Sequence, residues 1–496
     1  MKKVLYAVLF CIFCALFIYY RIPSLLAHYV AYTYDQGRDF IAGANIVRLH
    51  KIPFIGPTTG INGLFHGSWW YYLLAIPYIL FKGAPIGYYW FNFSIQFSLL
   101  IVLMVFLKKE FGSLTSLLFG ILIVVAPYFT FISLFAGNNV MVLPALLIFL
   151  ICNYYLFTSK KISLPLLFVT GFSLALVGEF ELSFGIFLVP LYLIGILIFR
   201  SLRKALINKN GLMFLFGLVV GFMPRILFEL KNSFTQTKVL LSFLFHPKLY
   251  SAASPYLSRV SERWILFKTY YFEMFSERYF AYIFLISICV IAGLTLIAVL
   301  QKRTKTQPIF IFYIYLLGGL FFLATLYKDF FWKNYYEGIH YIFLFVFISL
   351  IGQQIQKKHV LIKRSILFSL LFGFCALGMI SARETYMHKP PFDGLQVQEA
   401  IVNYVNKNQD QHQEYCLRIY TPSVIPHTYN YLFLVRNVKP SSEWVNGTCW
   451  FIVEADSYKQ RRDDWLTINE PKDKHTVVVK TIKDVEIRYY KVNPQE

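Results

Sequence analysis

Two aspartates one helical turn apart, in Tyr34-Asp35-Gln36-Gly37-Arg38-Asp39, are the clearest candidates for chemistry in this chain. If Gln36 to about His50 forms a helix, Asp35 stands at its N-cap and Asp39 lies one turn later on the same face. A carboxylate beside Arg38, backed by a second one, could act as a general base that takes a hydroxyl proton. The pair could also hold a divalent cation. The structural alternative is that Asp35 caps the helix and Asp39 pairs with Arg38. The apolar setting weighs against that alternative, because carboxylates at a membrane edge are costly unless something needs them.

Other polar groups punctuate the apolar sequence. His66, in Leu64-Phe65-His66-Gly67-Ser68, could line the same cleft or sit in a surface loop. Glu179 and Glu181 flank Phe180 at a helix junction, where a solvated turn is the plain alternative. Gly137-Asn138-Asn139 reads as turn chemistry. In Pro224 to Asn232, Arg225 and Glu229 have i,i+4 spacing and so could form a simple ion pair. Alternatively, Arg225 or Lys231 could hold an anionic lipid headgroup with Glu229 orienting it. Lys238, Arg259, Arg263 and Lys268, farther along, could also meet a phosphate.

These residues must be positioned by membrane-spanning helices. The chain has 496 residues, 57% hydrophobic, 19% aromatic and only 15% charged. Its apolar runs match the ~20-residue helix that crosses a ~30 Å hydrocarbon layer. Basic clusters between the runs, such as Lys108-Lys109, Lys160-Lys161, Arg200/Arg203/Lys204 and Lys302/Arg303/Lys305, fix a topology if each faces the cytoplasm. Eleven spans result, at about 4–21, 86–107, 113–134, 140–158, 162–178, 182–199, 211–228, 280–300, 308–326, 338–354 and 365–381. The first reads as a retained signal anchor with a cytoplasmic N-terminus. Residues 69–82, rich in Trp and Tyr, are read as an interfacial helix, with a re-entrant segment as the alternative; counting them as a span would put the basic clusters outside. Residues 22–85 and 229–279 become long outer loops. Asp35, Asp39, Glu179, Glu181, Glu229, Asp329 and Glu337 then all fall on the outer side.

The net charge of +21 follows the basic clusters between spans and does not indicate nucleic acid. No phosphate-cradling glycine motif is present, and the acids lie opposite the cytoplasmic nucleotide pool. The transmembrane domain covers 1–389, and 390–496 reads as an extracytoplasmic α/β domain. That domain has a helix at 395–407, strands at Cys416–Tyr420 and Trp450–Glu454, a helix at Tyr429–Val435 and strand character from Val477 to Tyr490. Cys416 and Cys449 lie in this tail and either pair or stay free thiols; no cysteine or histidine spacing suggests zinc.

The order of these segments resembles the GT-C glycosyltransferases, and most of all the bacterial family-39 branch related to aminoarabinose transferases and protein O-mannosyltransferases. Tyr34 to Asp39, Gly67-Ser68-Trp69-Trp70-Tyr71-Tyr72-Leu73-Leu74, Glu179-Phe180-Glu181 and Pro224 to Phe234 carry the resemblance, which covers roughly the first 240 residues. It implies a polytopic helical enzyme of the cell membrane that takes a sugar from a polyprenyl-phosphate donor, with Asp35 as catalytic base. Inversion at the anomeric carbon and an acceptor that is a lipid, a glycan or a protein are implied with it, as is a role in cell envelope glycosylation. Arg38, Asp39, His66, Glu179, Glu181, Arg225, Glu229 and Lys231 are the expected substrate-binding residues. The branch carries Gln-x-His where this chain has Glu179-Phe180-Glu181, and an acid where it has Asn138-Asn139. A lipid-linked glycan transporter and an oligosaccharide polymerase or ligase are the competing classes. A transporter should carry ionisable groups within its spans and show internal symmetry, neither of which is evident here.

Overall fold

Long apolar helices dominate the computed structural model. It describes residues 2–245, 255–275, 308–356, 394–409, 414–423, 425–471 and 475–492, with scattered positions within 278–289 and 373–384. The chain divides into two compact units. The first comprises Met1–Pro23, Ile52–Tyr72 and Asn92–Lys389; the second comprises Ser24–Lys51, Leu73–Phe91 and Pro390–Glu496.

Among the described residues, Val4–Leu26, Pro85–Phe111, Asn138–Thr158 and Ile309–Leu326 are long and apolar enough to cross a membrane. Three bent pairs raise the number to seven if each is one span: Ser113–Val125 with Pro127–Ser133, Leu182–Ile198 with Arg200–Leu206, and Lys209–Gly221 with Met223–Lys231. The protein is thus a multi-pass membrane protein. The expected spans at 280–300 and 365–381 fall largely outside the described residues. Residues Trp69–Leu80 form a helix of 12 residues, about 18 Å long, which is too short to span.

The first two bends show local features. Pro127 has no N–H to give Ile123, and it holds Ala126 in an extended conformation. The next amide, Tyr128 N–H, donates to Glu273 O instead of Val124 O. Arg21, fully buried, donates to both freed carbonyls, Val124 O at 3.2 Å and Ile123 O at 3.5 Å, and also to Ser133 Oγ at 2.6 Å. An arginine at the end of the first span thereby satisfies the backbone groups that a proline bend exposes. At the second bend, Phe199 is extended and the chain turns by 99° into Arg200–Leu206, which buries Leu202, Ala205 and Leu206 and leaves Arg203 and Lys204 exposed.

The Leu164–Phe180 and Leu212–Gly221 helices pack at backbone contact. A Cβ on Gly171 would lie 2.1 Å from Phe214 O, and one on Gly217 would lie 2.2 Å from Phe168 O. Small residues permit this approach where lipid gives no hydrophobic drive between helices. The close packing fixes the ends of both helices, which carry Glu179 and lead into Arg225.

In the second unit, the strands β1 (Leu417–Tyr420), β2 (Thr448–Val453), β3 (His475–Ile482) and β4 (Val485–Lys491) form a sheet in the order β1-β2-β4-β3. β1 and β2 are parallel, and the crossover between them contains the His427–Val435 helix. The 477–490 stretch is a hairpin that turns at Lys483-Asp484, and Lys459–Asn469 is a helix that the sequence reading missed. Cys416 and Cys449 form a disulfide inside the core with Phe451, Val453 and Tyr490. The Tyr34–Leu49 helix belongs to this unit. Its Phe40 stacks on Tyr88 at 3.8 Å and meets Tyr431 edge-on, and the hydroxyls of Tyr88 and Tyr431 lie 2.8 Å apart.

Candidate functional site

The aspartate motif lies in the first turn and a half of the Tyr34–Leu49 helix. Asp35 is not its N-cap. Thr33 holds that position, and its backbone N–H donates to Gln36 Oε1 at 2.9 Å, so Asp35 is the second helical residue. The helix begins at Tyr34, two residues before the expected start at Gln36. Arg38 then bridges the two acids, with Nη1 2.9 Å from Asp35 Oδ1 and Nη2 2.9 Å from Asp39 Oδ1. The two carboxylates differ sharply in exposure: the Asp35 side chain is 70% exposed and that of Asp39 is 3% exposed. Asp39 therefore fixes the guanidinium, which in turn orients an outward-facing carboxylate. A divalent cation fits this pair poorly, since the Arg38 guanidinium already lies between both acids. Among the described residues, no group of three or more His, Cys, Asp or Glu side chains could hold a metal ion.

Within the first unit, Arg225 is the hub of a buried polar node. Its Nε donates to Glu179 Oε1 at 2.6 Å, and its Nη1 donates to Phe65 O at 3.1 Å and Gln236 Oε1 at 3.2 Å. Glu179 is fully buried, and its backbone carbonyl accepts from Gly67 N–H at 2.7 Å. Phe65 N–H donates to Gln236 Oε1, and Trp69 Nε1–H donates to Gly221 O at 2.7 Å. The segment around Phe65–Trp69 is thus tied to four helices by polar contacts.

The i,i+4 spacing of Arg225 and Glu229 does not give an ion pair between them. Glu229 instead accepts from the backbone N–H groups of Gln236 at 3.0 Å and Thr237 at 2.9 Å. It thereby satisfies amides in the first turn of the Thr235–Phe245 helix, where a carboxylate also complements the helix dipole. Lys231 is exposed in the last turn of the Met223–Lys231 helix and takes no part in this network.

His66 Nδ1 accepts from Leu182 N–H at 3.2 Å, which places the ring proton on Nε2 and caps the Leu182–Ile198 helix. Glu181, only 2% exposed, is pushed up to about 8 by burial, with Glu337 adding to the rise. Burial also pushes Glu337 up to about 7. Glu337 accepts from Tyr128 O–H at 2.5 Å and from Asn139 Nδ2–H at 3.1 Å. Asn138 donates to Phe180 O at 2.9 Å. Both asparagines of the expected turn therefore bind other elements of the unit.

Sequence reasoning missed Gln236, which gave no signal, and His427, whose neighbourhood exists only in three dimensions. His427 opens the crossover helix of the α/β domain, and its ring lies 4.7 Å from that of Tyr34.

Two structures of ArnT from Cupriavidus metallidurans match the chain along almost all of its length. The one bound to undecaprenyl phosphate aligns at TM-score 0.61 and 11% identity, covering 99% of this chain and 98% of its own. The fold is of the GT-C type. The apo ArnT structure aligns at TM-score 0.57 and 12% identity, covering 98% and 97%. The GT-C resemblance read from the sequence is borne out at the level of fold. No family model matches the chain, and no curated protein matches it.

Proposed function

We propose that this protein is an inverting glycosyltransferase that moves a sugar from a polyprenyl-phosphate donor to an acceptor on the outer face of the cytoplasmic membrane. The observation that carries the reading is the full-length GT-C fold match, which includes a neighbour solved with undecaprenyl phosphate. The exposed Asp35 carboxylate is the natural base. As the acceptor oxygen attacks the anomeric carbon, the bond to the phosphate oxygen breaks and polyprenyl phosphate leaves. Asp35 takes the acceptor's proton, and attack from the side opposite the leaving group inverts the centre. Asp39 and Arg38 hold the base in place.

Lys231, exposed at its helix end, is suited to an anionic lipid headgroup. Arg225 spends most of its donors inside the node, so its role is to position the 52–72 segment. Glu179, Glu229 and His66 serve the same scaffold. The orientation follows from the basic clusters, and a disulfide in the tail suits an oxidising compartment. The test is to incubate the protein, reconstituted in liposomes, with undecaprenyl-phosphate-linked monosaccharides and with nucleotide sugars in parallel. Release of undecaprenyl phosphate supports the reading. Consumption of a nucleotide sugar alone, or movement of intact lipid-linked sugar without bond cleavage, overturns it.

A further inference from the structure

The α/β domain brings a histidine to the aspartate motif. The helix Tyr34–Leu49 and the crossover helix His427–Val435 meet at backbone contact: a Cβ on Gly37 would lie 2.4 Å from Thr428 N and 2.6 Å from the His427 carbonyl carbon. Only glycine allows that approach, which gives Gly37 a reason to stand between the two aspartates. Tyr32 O–H donates to Thr428 O at 3.1 Å and fastens the same corner. The imidazole of His427 is thereby set against Tyr34, within electrostatic reach of both Asp35 and Arg38.

Its Nδ1 atom is buried and has no hydrogen-bond partner in the protein. Leaving such a group unpaired is unfavourable, and a role toward substrate is one recognised reason for a protein to keep one. Burial, reinforced by Arg38, also lowers the tendency of this ring to take up a proton, although Asp35 opposes the shift. A neutral imidazole can donate or accept a hydrogen bond, as a sugar or acceptor hydroxyl requires.

We propose that the α/β domain completes the Asp35 site, with His427 as a substrate-binding residue that hydrogen-bonds, through Nδ1, a hydroxyl presented to Asp35. The proposal rests on the transferase reading. It makes the tail part of the catalytic machinery and assigns His427 the task of orienting a hydroxyl, while Asp35 takes the proton.

The experiment measures release of undecaprenyl phosphate from undecaprenyl-phosphate-linked monosaccharides in proteoliposomes. It compares the full chain with His427→Ala, His427→Asn, His427→Gln and Gly37→Ala. An asparagine amide can occupy the place of Nδ1, whereas the glutamine amide falls nearer Nε2. His427→Ala should lower kcat/KM by 10- to 100-fold with an unchanged apparent Tm. His427→Asn should recover most of that loss and His427→Gln little of it. Gly37→Ala should displace the crossover helix and reproduce the loss without altering any functional side chain. If the wild-type protein releases no lipid phosphate from any donor, the transferase reading falls and this proposal falls with it. If the wild-type protein is active and His427→Ala matches it, the proposal alone is overturned. The proposal is equally overturned if the Ala, Asn and Gln variants lose activity together with apparent Tm, which marks a packing role.

Discussion

Replacing Arg225 with alanine tests the buried node directly. The substitution removes the cation beside Glu179, a carboxylate with no exposed side-chain surface, and takes a donor from both Phe65 O and Gln236 Oε1. Breaking one side of a buried ion pair typically costs ~3–5 kcal/mol, because the remaining charge has no compensation. Gln236 Oε1 keeps the Phe65 N–H as a donor, so Phe65 O is the acceptor that loses its partner; the terms overlap, and about 4 kcal/mol is a fair total. The loss should be local as well as global, since Arg225 ties Phe65 to the helices. Leu64, only 3% exposed, reports on that tie. In a background lacking the free cysteines, Leu64→Cys should resist maleimide in detergent micelles. Adding Arg225→Ala should speed its labelling by at least 10-fold and lower the apparent Tm. Adding Glu179→Gln to Arg225→Ala removes the stranded charge and should restore at least half of the lost stability. If Arg225→Ala keeps wild-type Tm and protection, or if Glu179→Gln only deepens the loss, Glu179 is not a buried charge that depends on Arg225.

Two further outcomes follow from the site and the topology. A carboxyl held near 8 when folded and near 4.5 when unfolded contributes stability below about pH 4.5 and loses it as pH rises through about 8. The ceiling for Glu181 alone is about 5 kcal/mol; apparent Tm should therefore fall between pH 5 and pH 9 in the wild type, and that slope should flatten in Glu181→Gln. Reporter fusions should place positions 108, 160, 203 and 303 in the cytoplasm and position 450 outside; a cytoplasmic position 450 would put the aspartate motif on the wrong face.

Much of the architecture was legible because lipid imposes simple rules. Apolar runs near 20 residues had to be helices, and Trp69–Leu80 was too short to be a span. The α/β tail was readable from its alternation, apart from Lys459–Asn469, whose charged sequence Lys-Gln-Arg-Arg-Asp-Asp carries no apolar stripe. What the sequence hid depended on tertiary partners. Arg225 and Glu229 have the spacing of a helical ion pair, but each found a better partner. A guanidinium buried beside Glu179 and a carboxylate facing two free amides both outcompete an i,i+4 pair worth a few tenths of a kcal/mol. Asp35 was misplaced at the cap because Thr33 and Asp35 are both good capping residues, and only the backbone shows which one begins the helix. His427 could not be anticipated, since its relation to Asp35 arises from the crossover between β1 and β2.

Asp35 is proposed as the base of a transfer from a polyprenyl-phosphate-linked sugar, and Asp35→Asn removes that base alone. The substitution keeps size and polarity at a side chain that is 70% exposed, so the fold should be unaffected. With reconstituted protein and an undecaprenyl-phosphate-linked sugar that the wild type turns over, release of undecaprenyl phosphate is followed for both proteins. A loss of ~10²–10⁴-fold is expected for Asp35→Asn at unchanged apparent Tm. Turnover within a few-fold of wild type would contradict the proposed role of Asp35.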